Sequence, residues 1–270
     1  MSASRLRFIH ISDLHILGEP GVRQYGVDTA EVLTRAIPLI QALGPEFVVA
    51  SGDLVGDESE AGYRRLQRLL EPLRVPVHFL MGNHDDRPAF RMVFRPQEAA
   101  SAQPVTESFE REGRRFLLLD STQPGTVRGT LGAEQLAWLE AQLSGRSDLP
   151  TWVFLHHQPM PIHIRWLDAL GLSNGEAFLA LLARYRHVEA VAYGHVHQER
   201  RWRYQGALFL GVPALAFQFS SVHQDLAVTQ EPPGFRLVEI ADGARRCWLH
   251  FLDGRVEAEP SDLATPVYVR

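Results

Sequence analysis

Six short apolar runs, each closed by polar residues, constrain this chain more than any other feature. They are "LRFIHIS" (6–12), "EFVVAS" (46–51), "VPVHFLM" (75–81), "RFLLLDS" (115–121), "TWVFLHH" (151–157) and "VEAVAYG" (188–194). Each is bounded by turn residues and rich in branched side chains, the pattern of a strand buried on both faces. Most are separated by helical periodicity. Residues 28–43 place Val32, Leu33, Ala36, Ile37, Ile40 and Leu43 on one face, with Asp28 and Glu31 forming a capping box and Pro38 predicting a kink or a shortened helix. Tyr63, Leu66, Leu69, Leu70 and Leu73 repeat the pattern in 59–73, Leu136, Leu139 and Leu143 do so in 132–143, and "GEAFLALLARY" supplies a further segment. Strand alternating with helix predicts a largely parallel sheet covered by helices. Beyond residue 198, "RRWRYQGALFLGV" and "GFRLVEI" followed by "RRCWLHFL" read as consecutive strands, expected to form a second sheet in a mixed α/β sandwich. Residues 1–252 are expected to make one domain. The polar tail 253–270, "DGRVEAEPSDLATPVYVR", is expected to be disordered or an arm clasping a partner chain.

Composition removes several chemistries. All 27 basic residues are arginine, so Schiff bases, pyridoxal phosphate and the Walker A lysine have no amine to use. A net charge of -5 argues against general nucleic-acid affinity. No run of 18 apolar residues occurs and "MSASRLRFIH" carries no apolar signal region, so the expectation is a cytoplasmic protein without a membrane contact. Cys247 is the single cysteine, read as structural.

The strand ends carry the chemistry. "SDLH" offers Asp13 and His15, "SGDL" offers Asp53, "GNHDD" offers Asn83, His84 and Asp85, and "LHHQP" offers His156; "GHVH" offers His195 and His197, which extended backbone would turn to a common face. In a parallel sheet these carboxyl ends share an edge where five loops converge. Two carboxylates, one amide oxygen and four imidazoles without sulfur suit manganese, iron, cobalt or zinc. Seven donors exceed the need of one tetrahedral ion and match two ions about 3.5–4 Å apart sharing a carboxylate. Two cations against two carboxylates leave surplus positive charge, which attracts phosphate and acidifies bound water towards hydroxide at working pH.

The ordered set D-x-H, G-D, G-N-H-D, a lone His and G-H-x-H resembles the calcineurin-like metallophosphoesterase superfamily from residue 6 to about 252. "HISDLH", "YGVDT" (25–29), "GNHDD", "LHHQP" and "GHVH" most resemble its class III cyclic nucleotide phosphodiesterases and bacterial glycerophosphodiesterases. The resemblance implies a four-layer αββα sandwich of two mixed β-sheets flanked by helices, and a dimer or larger assembly. It implies that Asp13, His15 and His197 hold one metal, that Asn83, His156 and His195 hold the other, and that Asp53 bridges them. His84 is then a proton donor or phosphate ligand oriented by Asp85, with Asn83 steadying the phosphoryl group. Departures narrow the subfamily. "GDLVGDE" and "GNHD" lack the arginine and glutamate of Ser/Thr protein phosphatases, Gly56 stands where purple acid phosphatases have a metal-binding tyrosine, and Phe217 aligns near a substrate histidine of the glycerophosphodiesterases.

Other polar residues have plainer readings. His10 is expected as a hydrogen-bonded core residue and His157 as buried packing, while His78, His163, His187 and His250 lack a partner motif. Asp120 reads as a turn cap or a support for the site; Arg200, Arg201 and Arg203 as a solvated strand face with a lesser chance of phosphate contact; His223 and Gln224 as a stretch that could overhang the site. The expected activity is hydrolysis of a small phosphodiester, a 3',5'- or 2',3'-cyclic nucleotide or a glycerophosphodiester, by metal-bound hydroxide. The alternatives are a nuclease or nucleotide-sugar hydrolase on the same scaffold, and a non-catalytic ligand-binding protein.

Overall fold

Alternate residues of the first strand face two different cores. In β1 (Arg5–Ile11), Leu6 and Phe8 join one apolar cluster while Ile9 and Ile11 join another, which is why the run reads as continuously apolar. The computed structural model describes residues 5–241 and 244–259. From β1 the chain passes through α1 (Thr29–Ala42), β2 (Phe47–Ser51), α2 (Glu60–Leu70), β3 (Val77–Leu80) and α3 (Arg87–Phe94). Then come β4 (Glu107–Arg111), β5 (Arg114–Leu118), α4 (Ala133–Gly145), β6 (Thr151–Leu155), α5 (Arg165–Leu170), α6 (Gly175–Leu182) and β7 (Val188–Tyr193). The remainder is β8 (Arg200–Tyr204), β9 (Ala207–Gly211), β10 (Gln218–Phe219), β11 (Val228–Thr229), β12 (Gly234–Ala241), β13 (Ala244–Phe251) and β14 (Val256–Glu259). Asp28 caps α1 by accepting from the Glu31 amide, and the helix runs through Pro38 to Ala42 rather than stopping there. Helices α3 and α5 and strand β4 were not anticipated; Asp86 at the N-cap of α3, with Pro88 in its first turn, was the available signal.

Two mixed six-stranded sheets result, in the orders β14-β13-β12-β1-β2-β3 and β4-β5-β6-β7-β9-β8. Strands β1, β2 and β3 are parallel, as are β5, β6, β7 and β9, and the remaining pairings in both sheets are antiparallel. The late strands therefore do not form a sheet of their own. They are divided between both sheets, because the parallel strands leave an edge of β1 and an edge of β7 whose backbone groups need partners. β12 pairs with β1, and β9 pairs with β7.

Three apolar clusters separate four layers. Leu33, Ile37, Ile40, Tyr63, Leu66 and Phe90 pack helices α1–α3 on the first sheet. Leu139, Leu143, Leu167, Phe178 and Leu182 pack α4–α6 on the second. Between the sheets, Phe8 stacks on Phe47 at 5.0 Å and meets Trp152 edge-on at 5.0 Å. The order helices, sheet, sheet, helices is the αββα sandwich that the resemblance implied. Part of the expected tail belongs to the sheet, since Val256–Glu259 pairs with β13. Residues 260–270 lie outside the described residues. No helix among the described residues is long and apolar enough to cross a membrane.

Candidate metal centre

The five donor loops leave the two sheets, three from one and two from the other, rather than one shared edge. Asp13, His15, Asp53 and Asn83 follow β1, β2 and β3, while His156, His195 and His197 follow β6 and β7. Backbone hydrogen bonds lock the loops together: Asp13 N to Gly52 O at 3.0 Å, His15 N to Asp53 O at 2.9 Å, Gly194 N to His156 O at 3.1 Å and Leu215 N to Ser12 O at 2.9 Å. The approach between sheets is so close that a Cβ on Gly194 would lie 1.9 Å from Ser12 Oγ, and one on Gly52 2.6 Å from His156 Nδ1. Glycine before the ligand is a steric requirement at both places.

The donors sit on strained backbone. Asp13 (φ 55°), His15 (46°), Asp53 (47°), His195 (67°) and His197 (51°) all occupy the left-handed region. Such conformations cost about 1 kcal/mol or more and persist where surrounding structure imposes them, although Asp and His tolerate them better than bulky residues. The expected extended backbone around "GHVH" is thus not what turns its two rings inward. Two consecutive left-handed histidines, separated by the buried Val196, send one ring to each of two clusters.

One cluster gathers a ligand atom from each of Asp13, His15, Asp53 and His197, all buried, within 4.8 Å of one another. His15 Nε2 lies 3.6 Å from Asp53 Oδ2, and His197 Nε2 lies 3.3 Å from Asp13 Oδ1. The other gathers His156, His157 and His195 on the same scale, with His156 Nε2 3.3 Å from Asp53 Oδ1. Asp53 thus offers one oxygen to each side. His156 Nδ1–H donates to Ser51 O at 2.8 Å and His197 Nδ1–H to Phe217 O at 2.6 Å, which leaves each Nε2 as a lone-pair donor. His156 Nε2, His195 Nε2 and Asn83 Oδ1 are buried without a hydrogen-bond partner. Orphaned lone pairs beside a buried carboxylate fit a cation, and the hard-to-borderline donors suit the transition metals expected from sequence.

Burial opposes charging Asp13 and Asp53, yet neighbouring imidazoles, chiefly His197 and His156 respectively, hold both carboxyls below their ordinary value. Burial pulls His15 down to about 3 against the pull of Asp53, so its ring is neutral and able to ligate. His156 is the exception. Burial disfavours its charge, but Asp53 and Asp13 raise it to about 9, so without a metal its Nε2 carries a proton, which a bound metal would have to displace.

A family model for the calcineurin-like phosphoesterases matches residues 6–199. The chain belongs to this family. A 3',5'-cyclic-nucleotide phosphodiesterase of Nostoc sp. is 34% identical over 236 residues, covering 86% of this chain and 87% of the relative. The 3',5'-cyclic adenosine monophosphate phosphodiesterase CpdA of Escherichia coli K12 is 32% identical over 252 residues, covering 92% and 90%. The glycerophosphodiester phosphodiesterase GpdQ of Enterobacter lignolyticus is 32% identical over 223 residues, covering 80% of each chain. Among solved structures, a dimetal phosphatase of Danio rerio shares the fold with a TM-score of 0.72 at 17% identity, covering 94% of this chain and 98% of that one. The chain is accordingly a member of a phosphoesterase family whose listed relatives are named phosphodiesterases, and it carries a candidate site for two metals.

One expectation about the phosphoesterase site needs correction. Asp85 does not orient His84. Its carboxylate accepts from Leu54 N at 3.1 Å, Val55 N at 3.3 Å, Gly82 N at 2.8 Å and the Tyr63 hydroxyl at 2.9 Å, so it clamps the loop of Asp53 to the loop of Asn83. His84 stands free of it at the cavity wall, its ring 5.1 Å from that of His15, while its backbone N–H donates to Asp53 Oδ1 at 2.9 Å. Arg200, Arg201 and Arg203, read chiefly as a strand face, are not among the residues lining the cavity.

The plainer readings hold elsewhere. His157 is within ligand distance of its neighbours, but both ring nitrogens are engaged, with Ser121 Oγ at 2.8 Å and Val127 O at 2.9 Å, and burial pushes it down to about 3. His10 contacts Ser51 Oγ at 2.7 Å inside the inter-sheet layer. Asp120 caps its turn through Thr122 N and also receives Arg87 Nε at 2.6 Å. His78 pairs with Glu107 at 2.6 Å, His250 stacks on Phe235 at 5.4 Å, and His223 contacts Ser220 Oγ at 2.7 Å, none of them lining the cavity. Gln224 accepts from Arg165 N at 2.9 Å, and its neighbour Leu226 reaches the cavity wall.

The cavity beside the donors measures about 230 Å³. His15, Asp53, Asn83, His84, His195 and His197 line one side; Tyr25, Trp166, Leu170, Phe217, Phe219 and Leu226 are prominent among the rest. The sequence shows little of this apolar wall: its residues come from separated loops, and only "YGVDT" and Phe217 stand out, through the resemblance.

Proposed function

We propose that this phosphoesterase binds two metal ions and hydrolyses small, singly charged phosphodiesters of the cyclic nucleotide and glycerophosphodiester type. Asp13, His15 and His197 would hold one ion, Asn83, His156 and His195 the other, and Asp53 both. The observation that carries the reading is the pair of buried donor clusters sharing the two oxygens of Asp53. When bound, such ions supply a water acidified towards neutrality and positive charge at the phosphoryl oxygens. The names of the relatives support a diester substrate.

The chain's own groups do the rest. The Asn83 side chain steadies the phosphoryl group. His84, at the cavity wall and without a carboxylate partner, gives its proton to the leaving alkoxide as the phosphorus–oxygen bond breaks. Asp85 keeps the Asp53 and Asn83 loops in register. Among the described residues no arginine lines the cavity, which favours a monoanionic diester over a dianionic monoester. The donor set supports manganese, iron, cobalt or zinc as the metals. A cytoplasmic location and self-association belong to the same proposal, and sedimentation of the metal-loaded protein tests the second.

The experiment is turnover of bis(p-nitrophenyl) phosphate and adenosine 3',5'-cyclic phosphate after loading with manganese, with bound metal counted by mass spectrometry. Activity should require two ions per chain and vanish on chelation and in Asp53→Ala. No turnover with any of the four metals, or full activity with one ion, overturns the reading.

A further inference from the structure

The apolar part of the cavity wall has no part in the hydrolysis described above, and one of its residues is held in an unusual way. Gln24 and Val27 exchange both backbone hydrogen bonds, at 3.0 and 2.9 Å, around a two-residue loop. Both loop residues have positive φ, Tyr25 at 49° and Gly26 at 82°, the pattern of a type I′ turn. Asn, Asp or Gly normally fills the first of these positions; a tyrosine there is an outlier that points to a use for its ring. That ring is 53% exposed. It stands 4.7 Å from Phe217 in an edge-on contact, and Phe217 in turn packs on His15 at 5.1 Å and on His197 at 5.0 Å. Tyr25 is thereby fixed at the cavity wall, one ring away from two metal-ligand candidates.

The rest of the wall defines what it faces. Trp166, Phe219, Leu170 and Leu226 present apolar surface, unsuited to a polyol, and among the described residues no arginine lines the cavity to hold a second phosphate. Two of the lining residues carry a buried polar atom without a hydrogen bond, Gln24 at Oε1 and Trp166 at Nε1. A planar group with an apolar face and a hydrogen-bonding edge satisfies both features, and a nucleobase is such a group.

We infer that Tyr25, braced by Phe217, is the stacking platform for the base of a nucleoside phosphodiester, with the Gln24 side chain and the Trp166 indole N–H contacting the base edge. This inference rests on the proposed diester hydrolysis and selects the base-bearing branch of its substrates. Tyr25 is a specificity-determining residue, not a catalytic one.

The test compares adenosine 3',5'-cyclic phosphate with the 3,5-cyclic phosphate of 1-deoxyribose, which lacks a base, on the manganese-loaded enzyme. The wild type should prefer the base-bearing diester about tenfold or more in kcat/KM, the scale of one base stacked on one aromatic ring. Tyr25→Ala should raise KM for that substrate by a similar factor, about tenfold, with kcat within about threefold and the base-free substrate unaffected. Tyr25→Phe should behave as wild type. Calorimetric titration with AMP is the second readout, with Tyr25→Ala and Trp166→Phe both expected to weaken binding. Equal treatment of the two diesters by the wild type, or equal losses on both in Tyr25→Ala, overturns the platform and leaves diester hydrolysis standing. If neither diester is cleaved but AMP binding depends on Tyr25, hydrolysis fails and the platform survives; AMP binding indifferent to Tyr25 overturns the platform.

Discussion

His15 and His197 aim their Nε2 atoms at each other across 3.3 Å. His197 already donates through Nδ1–H to Phe217 O, and His15 Nδ1 is buried without a partner. Asp53 and Asp13 carboxylate oxygens lie 3.6 and 3.3 Å from the two Nε2 atoms, so two ring nitrogens and two carboxylates converge on one point, where a cation would be held by all four. Manganese at about one hundred times its dissociation constant should stabilise the fold by about 2.7 kcal/mol and raise Tm by roughly 5–10 °C. Scanning calorimetry with and without chelator checks this; an unchanged Tm would mean the donors do not converge on an ion.

Asp85 predicts a different kind of loss. Because its carboxylate joins the Asp53 and Asn83 loops through backbone N–H groups, Asp85→Asn should weaken metal binding by about 10- to 100-fold, as removal of an outer support does. The pH profile of the fully loaded variant should keep its shape, since the carboxylate does not touch His84. A shifted profile with unaltered metal affinity would restore the discarded pairing with His84.

How legible the site was in the sequence differs residue by residue. The seven candidate donors were legible because each follows a strand, and strand ends are marked by local apolar runs. Their backbone could not: nothing in "GHVH" announces left-handed φ at both histidines, a conformation imposed by the contact between sheets at Gly194. The role of Asp85 was misread because adjacency to His84 in sequence does not say which way a side chain points. The division of late strands between two sheets depends on which edges lie open after the parallel strands assemble, a long-range condition. Tyr25 and Phe217 are 192 positions apart, and only the fold makes them neighbours.

Cys247 carries a pH prediction independent of metals. It is buried between the sheets, and burial, assisted by Glu259, pushes its thiol up to about 11 from 9.0. The folded state therefore holds the proton that the unfolded chain loses. Stability from this group is fully present below pH 9 and declines as pH rises from 9 to 11, by roughly 2 to 3 kcal/mol for the two units. Urea melts at pH 8 and 10.5 should show the decline, and it should shrink in Cys247→Ala, leaving the part that the buried hydroxyls of Tyr63 and Tyr193, also held above 10.0, contribute. At pH 8 a thiol reagent should label the native protein far more slowly than the unfolded chain. Rapid labelling of the native protein would place this thiol at an accessible surface and defeat the structural reading.

The last prediction concerns the segment that sequence assigned to a tail. Arg236, fully buried on β12, binds Glu259 of β14 through both carboxylate oxygens, Nε–Oε2 at 2.9 Å and Nη2–Oε1 at 2.8 Å, and donates across the sandwich to Gly211 O at 2.9 Å. One guanidinium thus ties the outermost strand of the first sheet to a strand of the second. A buried pair of this kind is weak evidence of stabilisation as a whole, since desolvation offsets much of its attraction. Breaking it is another matter: Glu259→Ala strands a buried cation and should cost about 3–5 kcal/mol, read as a lower midpoint in urea. Replacing both partners, Arg236→Met with Glu259→Leu, should recover most of that loss. If Glu259→Ala unfolds like the wild type, β14 adds nothing to the sandwich and the domain ends before it; if the double variant is as unstable as the single one, the loss arises from packing rather than from the stranded charge.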